Sequence, residues 1–313
     1  MVRNNSSLGE VKEKAVRQKS MNSMKRMDAI FIISILIIPI IHWAVSWFYL
    51  NIQSSVMAFQ LPDGQFTMLN FEVLFSKIGD PKSDLILSLK NTFMWFIFNN
   101  GLMFPLTIVL NYFFYKKMPG TNVFRILLYI PGLLSGVAVS SMINRFVLPS
   151  GPLGILLTNL GMKDVPLFFA DERYANNAML IYCFWLGWGG NMLLLGGTFA
   201  RVPQEVLEAA KLDGCSPVRE LVQLIIPMIS STLITLIILN MTGIFNATGP
   251  LILFTEGEYG TMTLSYWIFE SVRYAGASTY NTVAATGLFF TCIAVPVILT
   301  IRWLLEKIPV VEY

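Results

Sequence analysis

Residues 201–230 read RVPQEVLEAAKLDGCSPVRELVQLIIPMIS. Pro203 suits the first turn of a helix, and Gln204–Leu212 are good helix formers. Asp213-Gly214 then stops the helix, because glycine takes positive φ at a helix end. Ser216-Pro217 restarts one as N-cap and N1. Val218, Leu221, Val222 and Ile225 follow at helical spacing, and Pro227 marks the start of an apolar run. The expected shape is a helix, a sharp turn and a second helix. Ala209 and Ala210 let another surface approach closely. Glu205, Glu208 and Asp213 offer carboxylates to basic groups on a partner.

What surrounds this segment is apolar. Of 313 residues, 55% are hydrophobic and 13% charged, against about 25% charged in a soluble domain. Mean hydropathy is +0.61. A disordered chain is excluded, and so is an ordinary soluble enzyme. A hydrocarbon core about 30 Å thick needs roughly 20 apolar residues in a helix. Six stretches meet that length: 29–77 (apolar part about 30–50, and free of Asp, Glu, Lys and Arg through residue 62), and the wholly charge-free 91–115, 126–144, 174–200, 221–255 and 274–301. The helix of the fifth is expected at about 229–250, between Pro227 and Gly249-Pro250. The first run is too long for a signal peptide and no small-residue cleavage site follows it. The fold class is therefore an all-α polytopic membrane protein with six transmembrane helices.

Basic residues set the orientation. With the N-terminus inside, 15 of the 22 Lys and Arg lie inside, including Lys116, Lys117, Arg125, Arg201, Lys211 and Arg219. Both termini are then cytoplasmic, and so is the 201–228 loop. The net charge of +3 is too small to point to nucleic acid. The cysteines, Cys183, Cys215 and Cys292, are scattered, and His42 is the single histidine. Neither a disulfide framework nor a nitrogen- or sulfur-rich metal site is expected. No phosphate-loop sequence G-x4-G-K-[ST] is present, so no ATP site is expected in this chain.

The loop then carries a resemblance. Glu208-Ala209-Ala210, three residues, Gly214, nine residues, and Leu224-Ile225-Ile226-Pro227 resemble the EAA signature of ABC importer permeases, EAA-x3-G-x9-I-x-LP. Leu224 and Ile226 depart from it by apolar exchange. Tyr129-Ile130-Pro131 with Ser135, Gly151–Leu160, Phe245, Thr255-Glu256-Gly257, Thr261–Leu264 and Asn91-Thr92 resemble further stretches of the binding-protein-dependent carbohydrate type. Glu258 and Tyr259 stand where that family commonly has Gly-Pro. The resemblance runs from about residue 87 to 305.

The resemblance implies a type I importer permease in a bacterial-type plasma membrane. Its parts would be a basic cytoplasmic tail (1–28), a first span with its outer segment (29–86), a five-span core (87–305) holding the coupling loop (201–228), and a C-terminal tail (306–313). It implies no catalysis and no cofactor here, with ATP and Mg on a partner ATPase. The implied partners are a second permease, two ATP-binding cassette subunits, an extracytoplasmic solute-binding protein and membrane lipid. The coupling residues would be Glu205, Glu208, Ala209, Ala210, Asp213, Gly214 and Pro227. A sugar or oligosaccharide cargo suits aromatic and amide side chains in spans: Tyr182, Trp185, Trp188 and Asn191, which recur every three residues, with Asn240 and Asn246. Asn99, Asn100, Asn111 and Thr242 form a wider set. Gly187, Gly189, Gly190, Gly196 and Gly197 are expected to permit close helix approach. Pro39, Pro105, Pro131 and Pro296 are expected to kink or interrupt their helices. The alternative, a secondary transporter of a small polar solute, would use ionisable residues inside spans, and the apolar parts of the six stretches contain no Asp, Glu, Lys or Arg.

Overall fold

The computed structural model describes residue 28 and residues 30–246, 250–274 and 276–307. The tail 1–27, residues 308–313 and the motif residue Gly249 lie outside the described residues, as do the side chains of Phe245 and Asn246. The described chain is helical, with one isolated bridge, Gln60 to Phe66.

In order, the helices are α1 (Ile30–Met57), α2 (Leu69–Gly79), α3 (Asp84–Tyr115), α4 (Thr121–Leu133), α5 (Gly136–Val147), α6 (Pro152–Asn159), α7 (Ala175–Phe199), α8 (Gln204–Leu212), α9 (Pro217–Met228), α10 (Ser230–Thr242), α11 (Leu251–Phe254), α12 (Leu264–Tyr274) and α13 (Ala277–Leu305). Four of them, α1, α3, α7 and the 279–305 part of α13, are long and apolar enough to cross a membrane. Two bent pairs bring the number to as many as six.

Those bent pairs correct the expected spans. The third stretch is two helices: α4 and the run from Gly136 meet at 102°. Pro131 is the last obstacle before the break, and Leu134 and Ser135 are extended at ψ 155° and 122°. The fifth helix begins after Ile229, where α9 and α10 meet at 80°. It ends at Thr242 and passes into a 3-10 turn, Gly243–Asn246, short of the expected residue 250. Pro227 lies inside α9 and does not start the span.

Proline acts in two ways. Pro105 and Pro227 each follow a π-wound segment, Phe98–Met103 and Glu220–Ile225. The wider winding absorbs a residue that has no N–H to donate. Pro39 and Pro296, by contrast, sit in helices that continue through them.

The largest core cluster joins α3, α7, the 201–229 segment and α10 through Phe104, Tyr112, Leu195, Phe199, Leu207, Ile225 and Leu236. A second, Trp95, Phe169, Met179, Leu251 and Tyr266, lies toward the other end of α3. The expected glycine contacts are only partly made. A Cβ on Gly196 would meet Asn111 Oδ1 at 3.2 Å, and one on Gly187 would meet Met103 Cε at 3.3 Å, whereas Gly189, Gly190 and Gly197 face open space.

The tightest backbone approaches are between α5 and α6. A Cβ on Gly151 would lie 2.2 Å from the Arg145 carbonyl oxygen, and one on Gly154 2.3 Å from that of Leu148, with no side chain to move aside. Gly154→Ala should therefore destabilise the protein by about 1–3 kcal/mol, read as a lower unfolding temperature in detergent. Gly136→Ala, at an open position, should leave it unchanged.

Candidate functional site

The 201–229 segment is built by short-range chemistry. Pro203 is extended (ψ 134°) and sits just outside the helix, one residue earlier than expected, so α8 begins at Gln204. Glu205 in its first turn and Lys211 in its last complement the helix dipole. Gly214 takes φ +70°, and the N–H groups of Gly214 and Cys215 close on the Lys211 and Ala210 carbonyls at 3.1 and 2.9 Å. That is the left-handed helix end that glycine permits. Ser216 Oγ caps α9 by accepting from the Arg219 N–H at 3.4 Å.

One face of this hairpin is seated and the other is free. Leu207, Ala210, Leu221 and Ile225 are buried in the chain. Ala210 is thus committed to the chain's own interior and is not a contact surface, a correction to the expected pair. Glu205, Glu208, Ala209, Asp213 and Gly214 are exposed, and Pro227 is half-buried. Val218 and Val222 do not join Leu221 and Ile225: both are exposed, and Leu212 is 90% exposed.

Sequence reasoning missed the ion pair behind the hairpin. Glu220 is 2% exposed, and both its oxygens accept from Lys116 Nζ, at 2.7 and 2.8 Å. Tyr112 Oη donates to the same carboxylate at 3.2 Å. Tyr115 Oη donates to the Val202 carbonyl at 2.8 Å. Removing one partner of such a buried pair costs about 3–5 kcal/mol, because the other charge stays desolvated. The visible signal was slight: one acid among four in the loop, and a Lys-Lys pair after the second span.

At the opposite end of α3, Asn91 donates to the Gly260 and Met262 carbonyls at 2.7 and 2.9 Å. Thr92 Oγ1 accepts from the Leu264 N–H at 2.8 Å. Asn176 adds a bond to Gly260 O at 3.0 Å. The loop they hold is strained: Glu256, Gly257, Tyr259 and Gly260 all have positive φ, between 49° and 79°. Two of these are not glycine, which costs energy that the clamp must offset. Burial pushes the Tyr266 phenol above its ordinary pKa, and the nearby Glu270 and Glu256 carboxylates add to the shift.

The candidate path residues separate. Tyr182 and Trp188 are buried within the chain, Tyr182 edge-on to Phe254 at 4.8 Å and Trp188 edge-on to Phe184 at 5.1 Å. They offer no face to a solute in this conformation. A loosened turn at Gly187-Trp188 breaks the every-third-residue face. Trp185 is exposed, and Asn191 and Asn240 are half-buried. Nothing is described of the Asn246 side chain. Asn99 and Asn100 donate back to carbonyls of their own helix, Trp95 and Phe96, and Thr242 to that of Leu239. Asn111 lines a polar cavity of about 810 Å³ with Lys117, Asn122, Arg125 and Gln204.

Residues 101–308 match the family described as "Binding-protein-dependent transport system inner membrane component". A probable ABC transporter permease protein of Mycoplasma pneumoniae, the MG188 homolog, is 29% identical over 255 residues, 74% of each chain. The lactose transport system permease protein LacF of Rhizobium radiobacter is 25% identical over 206 residues, 62% of this chain and 69% of that one. A chain from a bacterial ABC transporter involved in import of the acidic polysaccharide alginate superposes with a TM-score of 0.76 at 20% identity, covering 92% of this chain and 99% of that one.

Asn91→Ala removes two hydrogen bonds that hold a strained loop. The loss should be roughly 1–3 kcal/mol, with new protease cleavage between residues 255 and 264. Asn99→Ala, whose amide bonds only its own helix, should behave as wild type in the same digestion.

Proposed function

Because the chain belongs to the family of binding-protein-dependent transport system inner membrane components, we propose that it forms half of the path by which a sugar or oligosaccharide enters a bacterial cell. The family membership carries this reading. Relatives named for lactose and alginate import support the carbohydrate class. The secondary-transporter alternative loses its footing, since such systems take solute from a binding protein and need no ionisable relay inside spans.

In this reading the chain crosses the membrane six times, counting each bent pair as one span, with both termini and the 201–228 hairpin in the cytoplasm. The basic residues favour that orientation. A second permease covers the other side of the path, and two ATP-binding cassette subunits, carrying ATP and Mg, sit beneath the pair. A solute-binding protein delivers cargo to the outer face.

The hairpin is the part that meets the ATPase. Its free face carries carboxylates (Glu205, Glu208, Asp213), small residues (Ala209, Gly214) and an exposed Leu212. An apolar side chain 90% exposed beside acids, on an otherwise seated helix, fits an occupied cleft better than open water. The solute path draws on the accessible polar groups, Trp185, Asn191 and Asn240, and on the cavity at Asn111. Aromatic and amide groups there suit sugar hydroxyls and C–H faces.

The test is to purify the tagged chain from its native membrane in mild detergent and identify its companions by mass. A phosphate-loop ATPase and a second permease are expected; the chain alone under several mild conditions would overturn the reading. Within that complex, Glu208→Lys or Gly214→Pro should abolish ATP-dependent uptake while leaving membrane insertion intact. Uptake at the normal rate with both changes would remove the hairpin from the coupling role. Deleting the chain should abolish growth-limiting uptake of oligosaccharides and leave amino-acid uptake untouched.

A further inference from the structure

The hairpin between residues 203 and 219 is fastened at both ends to the same turn of the same helix. At its incoming end the Val202 carbonyl is held by Tyr115 Oη. At its outgoing end the Glu220 carboxylate is held by Lys116 Nζ and Tyr112 Oη. Tyr112, Tyr115 and Lys116 are the last turn of α3 and its C-cap. The ammonium of Lys116 also lies 5.7 Å from the Tyr112 ring centroid, so the clamp supports itself.

Between the fastenings the hairpin is stiffened by its own backbone bonds at Gly214 and Cys215. Beyond Glu220 the chain is π-wound to Ile225, and Glu220, the first residue of that winding, fixes the hairpin's outgoing end where the helix type changes. The anchor is an ammonium bonded to both oxygens of a buried carboxylate, and such charge-assisted bonds are roughly twice as strong as neutral ones. Helix α3 then runs back, through its π-wound turn at Phe98–Met103, as one continuous helix to Asn91 and Thr92, which grip the strained 256–264 loop.

We propose that Lys116 and Glu220 are positioning residues for energy coupling. They lock the hairpin to α3 so that its displacement moves α3, and with it the far loop. This rests on the reading of the hairpin as the ATPase-docking element. Neither residue belongs to the loop signature, and neither need touch the ATPase or the solute.

The test uses the whole importer complex in proteoliposomes, measuring solute imported and ATP hydrolysed per assembled complex. Glu220→Gln keeps shape and hydrogen bonding while removing the charge. It should retain the ATPase on purification but raise ATP hydrolysed per solute imported by about tenfold. Lys116→Met should do the same. The exchanged pair, Lys116→Glu with Glu220→Lys, should bring the ratio back to within about threefold of wild type.

A normal ratio in Glu220→Gln overturns the proposal. So does an altered ratio that the exchanged pair fails to restore, because the residues then serve only the fold. If Lys116→Met does not accumulate, the Glu220→Gln ratio and the exchanged pair still decide. Glu208→Lys run alongside separates the two claims. If it loses neither ATPase nor coupling, the docking reading fails. If it uncouples while Glu220→Gln does not, only the locking role fails.

Discussion

Within hydrocarbon no water is available to an unpaired backbone group, and each one left open costs several kcal/mol. The rest of this structure is arranged around that constraint. Among the described residues, the two sharp bends are bonded from inside the chain. At the break after Leu133, the Ser135 carbonyl accepts from the Val139 N–H at 2.9 Å. At the bend after α9, the Ile229 carbonyl accepts from both Thr232 and Leu233 at 3.1 Å. The π-wound segments before Pro105 and Pro227 spread the missing donor over several residues.

Around residues 57–60 and 260, asparagine holds the open carbonyls. Asn70 holds the Ala58 and Gln60 carbonyls, and Asn281 holds those of Met57 and Gln60. Asn91 and Asn176 do the same for Gly260. An uncharged amide offers two donors without the desolvation cost of an ammonium. These four residues also fix how the elements sit together. The end of α1 is held through α2 and α13, although the most apolar stretch of α1 has no buried residue. Helices α1, α4 and α5 present wide apolar surfaces. Lipid covers such a face without cost, and a second permease seated there would find it already desolvated.

The Lys116–Glu220 ion pair, on a buried carboxylate, stands apart from this economy of neutral groups. Charge is placed where two chain segments 104 residues apart must keep a fixed relation, and a neutral bond would hold them less firmly. Across α3, the ion pair at one end and the Asn91 clamp at the other leave a single continuous helix between the hairpin and the strained loop.

The apolar runs, their lengths and the basic residues beside them were legible in the sequence, because bilayer thickness and the absence of water act on composition directly. The hairpin was legible too. Its turn rests on Gly214 and its cap on Ser216, and both work within four residues. Tertiary structure alone decided that Pro131 precedes a 102° break while Pro296 lies in an unbroken helix. The same local chemistry is compatible with either, and the neighbouring helices select. It also decided which polar residues are used up. Asn99 and Tyr182 look alike as candidates for a solute path, yet one donates back to its own helix and the other packs on Phe254. Glu220 passed unnoticed because its partner lies in another part of the chain. A pattern read along one dimension records periodicity and local capping, whereas pairing at a distance exists only after the chain has folded.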